Sequence, residues 1–276
     1  MKEFILRYIS FKSNPTRKRE PISTNKVIIG IHDWGGYDLR RVKKIKEKYI
    51  ECGLSYQLDR FNNYTGKRDL AVNVTISDYE IGLKEKYKYL EVIPVTNVGM
   101  DFRGYSKIIE LHSNEANSYV LLLNSSVEAS QVDFLDDYLN YMDKNPSIGL
   151  LGISYSTIFF QTLIRNNFKP HVQSYFLLTT LDVMKEVIKY NGCFPGKNIS
   201  NKLLLIRYGE VRLSKIIEKL GYDLAIITEN GDPFIFPKSS GLFKTKYLKW
   251  KMVKGDYRLT TSTPNKINSL NKNHSE

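Results

Sequence analysis

The chain is poor in cysteine and in long apolar runs. Its 276 residues include two cysteines, Cys52 and Cys193, which lie far apart and in no metal-ligand spacing. A cysteine-based metal site is therefore excluded, and in a reducing compartment a disulfide between them is not expected. Both are interpreted as small core or loop residues. No stretch approaches the roughly 20 uncharged apolar residues that a membrane-spanning helix needs.

A secretion signal is also missing from the sequence pattern. Residues 1–7 are too few and too interrupted by charge to form the apolar part of a signal peptide. With 42% hydrophobic residues, the chain has enough apolar side chains for an ordinary globular core. We therefore expect a folded cytoplasmic protein.

Positive charge is in excess. The net charge of +12 and the pI near 9.4 favour negatively charged partners, namely nucleic acid, sugar nucleotides or an anionic membrane surface. Much of the excess lies towards the two ends, in residues 17–19 and 244–254. The sequence contains no zinc finger, RNA-recognition signature or helix-turn-helix pattern, so nucleic acid is the least favoured of the three.

Three regions are predicted. Residues 1–26 form a short helix and a polar arm, 27–237 one folded domain, and 238–276 a basic amphipathic segment followed by a disordered tail. Between 243 and 250 a phenylalanine, a tyrosine and a tryptophan recur at helical spacing among lysines. Such a helix would bind an anionic membrane and make the protein peripheral at the inner face of the cell membrane. The alternative is a basic segment that is solvated or packed on the domain.

Apolar runs and helical spacing alternate along the central region. The runs predict strands at 27–32, 70–76, 90–95, 119–127, 148–153, 175–178 and 224–227. Helical spacing predicts helices at 38–52, 104–111, 134–142, 181–190 and 209–220, with a poorly periodic one after Ser77. This order predicts a single α/β domain with a Rossmann-type, mostly parallel sheet flanked by helices.

Small polar side chains end the apolar run at 119–127. They are Asn124, Ser125 and Ser126. In open α/β sheets ligands bind beyond the carboxyl ends of the strands, so these side chains are candidates for ligand contact. The alternative is that Asn124 and Ser125 only cap the following turn.

A second apolar run, 90–95, also ends on polar residues. Asn97 and Asp101 flank Gly99, and a glycine lets the backbone approach a ligand closely. We expect both strand ends to offer oxygen and amide groups to one crevice. The alternative for Asp101 is an Asx-type turn or a helix cap.

Two later segments and one early residue complete the candidates. His171, Gln173 and Ser174 precede a predicted strand, and Glu210 begins a predicted helix whose positive end would stabilise its ionised form. Gln173 and Ser174 suit the positioning of hydroxyls. The alternatives are a structural histidine and a glutamate that interacts only with the helix dipole. Trp34, after the first strand, either stacks on a nucleobase or covers the sheet edge.

Taken in order, four segments resemble motifs of the rhamnan synthesis protein F family. They are residues 95–102, 122–127, 171–176 and 209–214, within a span of roughly 27–237. That family is similar to glycosyltransferases of the GT-A fold. The resemblance therefore implies a GT-A-like domain with a site for a nucleotide-sugar donor.

The resemblance also implies roles for the residues in these motifs. Asn97 and Asp101, with Gly99 between them, would hold the sugar or ribose of the donor. Glu210 would be the general base for the acceptor hydroxyl, with His171 as the second catalytic candidate. A plausible base without a clear nucleophile indicates an inverting reaction.

The chain departs from the usual GT-A pattern at one point. Typical members carry an Asp-any-Asp signature at a strand end, where carboxylates bind Mg²⁺ or Mn²⁺. Here Asn124, Ser125 and Ser126 stand instead and bring no negative charge. Either a metal is weakly held by Asn124 and Ser126 together with the donor phosphates, or lysine, arginine or helix amino-termini stabilise the leaving group.

Three functions follow from these patterns. The first is a glycosyltransferase that moves a sugar from a nucleotide-sugar donor to a growing cell-surface polysaccharide or a lipid-linked glycan; rhamnose is suggested only by the family's name. The second is a catalytically inactive nucleotide-sugar-binding or scaffold protein of the same fold. The third, a nucleic-acid-associated protein, is motivated by charge alone and predicts binding that weakens steeply with salt.

Overall fold

The computed structural model describes residues 16–45, 48–79, 85–154, 171–236 and 265–271. These ranges contain ten strands: β1 Lys26–Trp34, β2 Arg41–Ile45, β3 Lys48–Cys52, β4 Asp69–Ser77, β5 Val92–Val95, β6 Tyr119–Asn124, β7 Ile148–Gly152, β8 Phe176–Thr180, β9 Asp223–Ile227 and β10 Pro233–Ile235. Eight of them form one sheet in the order β10-β9-β7-β8-β6-β1-β4-β5, and β2 and β3 form a separate hairpin.

Helices cover both faces of the sheet. They are α1 Leu54–Asn62, α2 Asp101–Leu111, α3 Leu135–Lys144, α4 Leu181–Asn191, α5 Lys202–Leu205 and α6 Val211–Lys219, with a π-helical turn, Ile206–Glu210, joining α5 to α6. The buried side chains of α2, α4 and α6 share one core, and those of α1 and α3 share the other. The sheet side chains alternate between the two: Ile28 of β1 belongs to the first core, whereas Ile29 belongs to the second.

The predicted α/β architecture with a mostly parallel sheet is confirmed. Strands β1, β4, β5, β6, β7 and β9 run in one direction. Strands β8 and β10 run in the other. The sequence pattern had suggested β8 as one more strand of the parallel alternation, because an apolar run carries no information on direction. The reversal of β8 has a direct consequence for the site.

The prediction of a helix at 38–52 is wrong, because this stretch forms the β2–β3 hairpin. Val42 and Tyr49, two of the apolar residues whose spacing predicted that helix, are 62% and 70% exposed. Ile50 and Cys52, two residues apart, are buried instead. The alternation of period two therefore outweighs the helical spacing. Gly53, with φ 139°, then leads into α1, a helix that was not predicted.

Two further predictions concern the region after β4 and the tail. Ser77 is the last residue of β4, and the predicted helix behind it falls largely on 80–84, outside the described residues. The disordered tail is wrong for 265–271, since Ile267 and Leu270 are 1% and 5% exposed in the core under α3. The tail was predicted to be disordered from its average composition, which does not reveal two single apolar residues that are buried. The basic segment from 238 to 264 lies outside the described residues.

The arm before β1 is docked on the sheet in the part that is described, 16–25. The buried Arg19 donates from Nε to the carbonyl of Ile148 at 2.6 Å, and its guanidinium lies 5.7 Å from the Tyr119 ring centre. Arg17 forms a bidentate pair with Glu186, both N···O distances being 2.7 Å. Across the ranges described, no helix is long and apolar enough to cross a bilayer.

Candidate active site

The reversed strand β8 brings two sequence motifs to the same edge of the sheet. Leu123, near the carboxyl end of β6, pairs with Phe176 at the start of β8, and the Asn124 amide donates to the Tyr175 carbonyl at 3.2 Å. The segment that leads into β8, including Ser174, therefore lies beside the end of β6. Had β8 been parallel to β6, that segment would lie at the opposite edge. The sequence analysis placed Ser174 beside the end of β6, as observed, but it did so by assuming that β8 runs parallel to β6.

Two carboxylates meet around one serine at this edge. Asp101, the first residue of α2, accepts hydrogen bonds at Oδ2 from Asn124 Nδ2 at 2.7 Å and from Ser174 Oγ at 3.3 Å. The Ser174 amide donates to Glu210 Oε1 at 3.0 Å. Ser174 is buried and Asp101 is half-buried. The network therefore fixes Asp101 and Glu210 on either side of a single residue. Four of the predicted residues are brought together by it.

Glu210 is held by contacts and not by a helix end. It is the last residue of the π-helical turn inside the continuous helical stretch 202–219, so the predicted interaction with a helix amino-terminus is wrong. Its second oxygen, Oε2, lies 3.6 Å from His171 Nε2. His171 is fully buried, and Glu210 is 9% exposed. Single π-helical turns inside α-helices occur often at functional sites, where they re-aim one side chain.

The tyrosines around the network stay protonated at neutral pH. Burial raises the pKa of Tyr175 to about 12, and the charges of Glu210 and Asp101 act in the same direction. Burial also raises the pKa of Tyr105, again with a contribution from both carboxylates. The Tyr105 hydroxyl donates to the Ser174 carbonyl at 2.8 Å. Neutral phenols therefore surround the two acidic side chains.

The motif Asn124, Ser125 and Ser126 brings no carboxylate to a metal site. Asn124 donates from its amide nitrogen to Asp101 and accepts at Oδ1 from the Ser126 amide, at 3.0 Å, so the one atom of this side chain that could bind a cation already accepts a hydrogen bond. The bond from the Ser126 amide to Asn124 Oδ1 is the predicted turn cap, and the predicted contact of Asn124 with a ligand stays a prediction. Among the described residues, no group of three or more His, Cys, Asp and Glu side chains is arranged to hold a metal ion.

The loop before α2 uses Gly99 for backbone packing. Gly99 has φ 91°, and a Cβ atom there would lie 2.4 Å from the carbonyl oxygen of Lys197. Its amide donates to the Ile199 carbonyl at 3.2 Å. A neighbouring loop, and not open space for a ligand, therefore faces this glycine. The Asn97 carbonyl accepts from the Met100 amide at 3.1 Å, and within the described part of the chain its side chain is not joined to the network.

Replacing Gly99 by alanine is expected to destabilise the fold by about 2–4 kcal/mol, the sum of left-handed strain and a steric overlap. Gly192→Ala is the matched control, since Gly192 has φ 80° at the end of α4 and no atom within 4 Å of a Cβ. It should cost about 1 kcal/mol. Urea unfolding of both variants measures the difference. Equal losses would show that the Lys197 contact contributes nothing.

Trp34 and Gln173 lie near the network without joining its hydrogen bonds. Trp34 is 39% exposed, and its Nε1 donates to Asp78 Oδ2 at 2.9 Å. Its ring meets Tyr37 edge-on, with ring centres 4.9 Å apart. Gln173 is half-buried, and its amide donates to the Ser154 carbonyl at 3.1 Å. An exposed aromatic pair therefore stands at the end of β1.

Sequence reasoning missed a second polar cluster at the end of β1. Asp33 is buried, and burial raises its pKa, against the opposing effects of the Ser125 hydroxyl and Arg41. Arg41 Nη2 donates to Ser125 Oγ at 2.7 Å, and Nη1 lies 3.6 Å from Asp33 Oδ1. Asp33 carried the same signal as Asn124, a polar side chain at the end of an apolar strand. Arg41 was hidden by the mistaken helix at 38–52.

His32 of β1, the register partner of Asn124 in β6, is buried against Gly104 of α2. Burial lowers its pKa, and the charge of Asp101 opposes that effect. Its Nδ1 lies 3.0 Å from Thr75 Oγ1 on the neighbouring strand β4.

A separate cavity of about 190 Å³ lies at the opposite edge of the sheet, between the arm and α4, and is lined by Arg19 and Tyr222 among others. It contains none of the predicted site residues.

Comparisons with known proteins give structures but no family. No protein-family model matches the chain. No curated protein sequence matches it. The resemblance to the rhamnan synthesis protein F family therefore stays a prediction.

Three solved structures are similar to the chain, each at 13% sequence identity. A mannosyltransferase from Pyrobaculum calidifontis, in complex with GDP-Man and Mn²⁺, has a TM-score of 0.41 over 80% of this chain and 59% of its own. S. aureus TarS 1–349 has a TM-score of 0.43, with 74% and 58% covered. A CMP:2-keto-3-deoxy-manno-octonic acid synthetase complexed with CTP has a TM-score of 0.41, with 83% and 99% covered. The chain thus spans less than two thirds of the mannosyltransferase and of TarS 1–349. With all TM-scores below 0.5, its function is inferred from its own residues.

Proposed function

We propose that the chain is a glycosyltransferase that moves a sugar from a nucleotide-sugar donor to a glycan or lipid-linked acceptor. The observation that carries the proposal is the pair of carboxylates, Asp101 and Glu210, held on either side of Ser174 where the strands of an α/β sheet end. In an inverting sugar transfer, one carboxylate can accept the proton of the acceptor hydroxyl while the other holds donor hydroxyls. Rhamnose as the sugar, and a surface polysaccharide as the product, follow only from the family resemblance.

In this proposal Glu210 is the general base. The acceptor hydroxyl gives its proton to Glu210 while its oxygen forms the bond to the anomeric carbon. The bond from that carbon to the diphosphate oxygen breaks, and its electron pair leaves with the nucleoside diphosphate. A single displacement of this kind inverts the anomeric centre. The 3.6 Å approach of His171 Nε2 to Glu210 Oε2 supports His171 as the residue that orients the base.

Asp101 and its neighbours would bind the donor. A carboxylate whose Oδ2 is already bound by Asn124 and Ser174 is fixed in orientation, which leaves Oδ1 for sugar hydroxyls. Gln173 would reach further hydroxyls from the same segment. Trp34, at the end of β1, would stack on the nucleobase, as its 39% exposure permits.

The second candidate is a nucleotide-sugar-binding protein without catalysis. The observation that favours it is the donor set at the end of β6, where Asn124 and Ser126 bring no carboxylate and are committed to internal hydrogen bonds. Such a protein would bind the donor as tightly as an enzyme does. It would release no nucleoside diphosphate.

A panel of nucleotide sugars tests both candidates. A ligand present at 100 times its Kd stabilises the native state by about 2.7 kcal/mol, so the matching donor should raise Tm by several degrees. Free sugars serve as the control and should leave Tm unchanged. Release of nucleoside diphosphate in the presence of acceptor glycans then separates transfer from binding. No response to any nucleotide sugar, with or without Mg²⁺ or Mn²⁺, would contradict both.

Cytoplasmic location and contact with an anionic membrane are part of the same proposal. They rest on the sequence pattern and on the lysine-rich segment 238–264, which lies outside the described residues. A lipid-linked acceptor would explain such a segment, because each lysine near an anionic surface adds about 1 kcal/mol of attraction.

A further inference from the structure

The β2–β3 hairpin turns one face towards the site and one towards solvent. Side chains alternate along a strand, and Cys52 and Ile50, opposite Arg41 and Lys43 in the register, are buried. Arg41 and Lys43 therefore project towards the protein on the same face. The exposed residues Val42 and Tyr49 belong to the other face. The hairpin thus presents two cations inwards among apolar neighbours.

Arg41 is anchored at the end of β6. Its guanidinium donates to Ser125 Oγ at 2.7 Å and lies 4.0 Å from the Tyr37 ring centre. Asp33 Oδ1, 3.6 Å from Arg41 Nη1, is the carboxylate that balances part of this charge. The Arg41 side chain is only 13% exposed, so these contacts fix its position one residue away from Asn124 of the network.

Lys43 has no such balance. It is half-buried, and in the part of the chain that the structure describes it makes no hydrogen bond or ion pair. Burial lowers its pKa, and the positive charges of Arg41 and Lys202 lower it further, against opposing effects of Cys52 and Asp101. Lys202 begins α5, which leads through the π-helical turn to Glu210. Burying a lysine near two other cations costs free energy, because its charge loses water and is repelled by the neighbouring charges. A bound anion would offset this cost, so such a lysine is a candidate binding residue.

We propose that Lys43 binds the diphosphate of the donor, together with Arg41, and that these cations stabilise the leaving nucleoside diphosphate in place of a carboxylate-held metal. The identity of the anion as a donor diphosphate rests on the proposed function. The anion site itself rests on the position of Arg41 and Lys43 on the inner face of the β2–β3 hairpin. The arrangement fits a donor whose sugar lies at Asp101, because Arg41 contacts Ser125 and the preceding residue, Asn124, donates to Asp101. Fixed charges aimed at a departing anion stabilise the transition state more than the ground state.

Pyrophosphate binding tests the anion site without any assumption about the sugar. Calorimetric titration of the full chain with inorganic pyrophosphate, in the presence of a chelator, should show binding that weakens with salt. Lys43→Gln should weaken it about tenfold, the size of one charge-assisted hydrogen bond. Lys44→Gln is the matched control, because Lys44 is exposed on the outer face of the same strand, 5.7 Å from the Tyr49 ring centre. It should change the affinity less than about twofold.

Two results would overturn the proposal: no pyrophosphate binding by the unmodified chain under chelation, or equal losses in Lys43→Gln and Lys44→Gln. The same variants titrated with a nucleotide sugar separate this proposal from the proposed function. A donor that is bound and transferred equally well by both variants would remove Lys43 and leave the transferase. Selective loss of pyrophosphate binding in Lys43→Gln, with no nucleotide sugar bound by any form, would keep the anion site and remove the transferase.

Discussion

Glu210→Gln is expected to reduce sugar transfer by about 10²–10⁴-fold, the usual contribution of a general base, while donor affinity stays within about threefold. The glutamine side chain keeps an oxygen that accepts from the Ser174 amide, so the network around it is preserved. What it loses is the ability to take the acceptor proton. Turnover at saturating donor and calorimetric donor affinity are the two measurements.

Glu218→Gln is the control for this variant. Glu218 lies eight residues further along the same helical stretch, about two turns away, and the substitution removes the same charge. Its turnover should equal that of the unmodified chain. Unchanged turnover in Glu210→Gln would remove Glu210 as the base, and equal losses in both variants would point to the charge of the helix and not to the site.

Asp101→Asn is expected to weaken binding of the nucleotide sugar by about tenfold or more, because hydrogen bonds to a charged acceptor contribute about 1.5–3 kcal/mol. Affinity for the corresponding nucleoside diphosphate should hardly change, since the carboxylate is proposed to contact the sugar. Asparagine keeps the shape and one acceptor oxygen for Asn124 Nδ2. The comparison of the two ligands therefore isolates the contact to the sugar.

Asp182→Asn provides the matched control for Asp101→Asn. Asp182 lies in the first turn of α4, as Asp101 does in α2, so both substitutions remove a carboxylate near a helix amino-terminus. Thr180, two residues before Asp182, ends β8 at the opposite edge of the sheet. Ligand affinity should be unaffected there. An equal loss for nucleotide sugar and nucleoside diphosphate in Asp101→Asn would refute a sugar-specific role.

The fold was predictable where burial on both faces makes a strand uniformly apolar. Residues 119–123 form such a run, and every residue of β6 is buried. The hairpin was not predictable in this way, because Val42 and Tyr49 are apolar yet exposed. Their chance spacing imitates a helix face. Strand direction was equally out of reach, since β8 and β6 have the same apolar pattern and opposite directions.

The candidate site was predicted in part. Asn124, Ser174 and Glu210 were found because polar residues next to apolar elements stand out in a sequence. The contacts that hold Glu210 were not predicted, because they depend on tertiary packing. They involve a π-helical turn and a serine that is shared between two acidic side chains. Lys43 was lost with the mistaken helix. In a lysine-rich chain, a lysine can be recognised as a candidate binding residue only when its burial and the neighbouring charges are known.

The most direct test of the account is a crystal structure of the chain with the nucleoside diphosphate that binds best. The account predicts the diphosphate against Arg41 and Lys43 on the inner face of the hairpin, with its terminal phosphate directed towards Asp101 and Glu210. A nucleotide found instead in the cavity between the arm and α4, beside Arg19 and Tyr222, would contradict it.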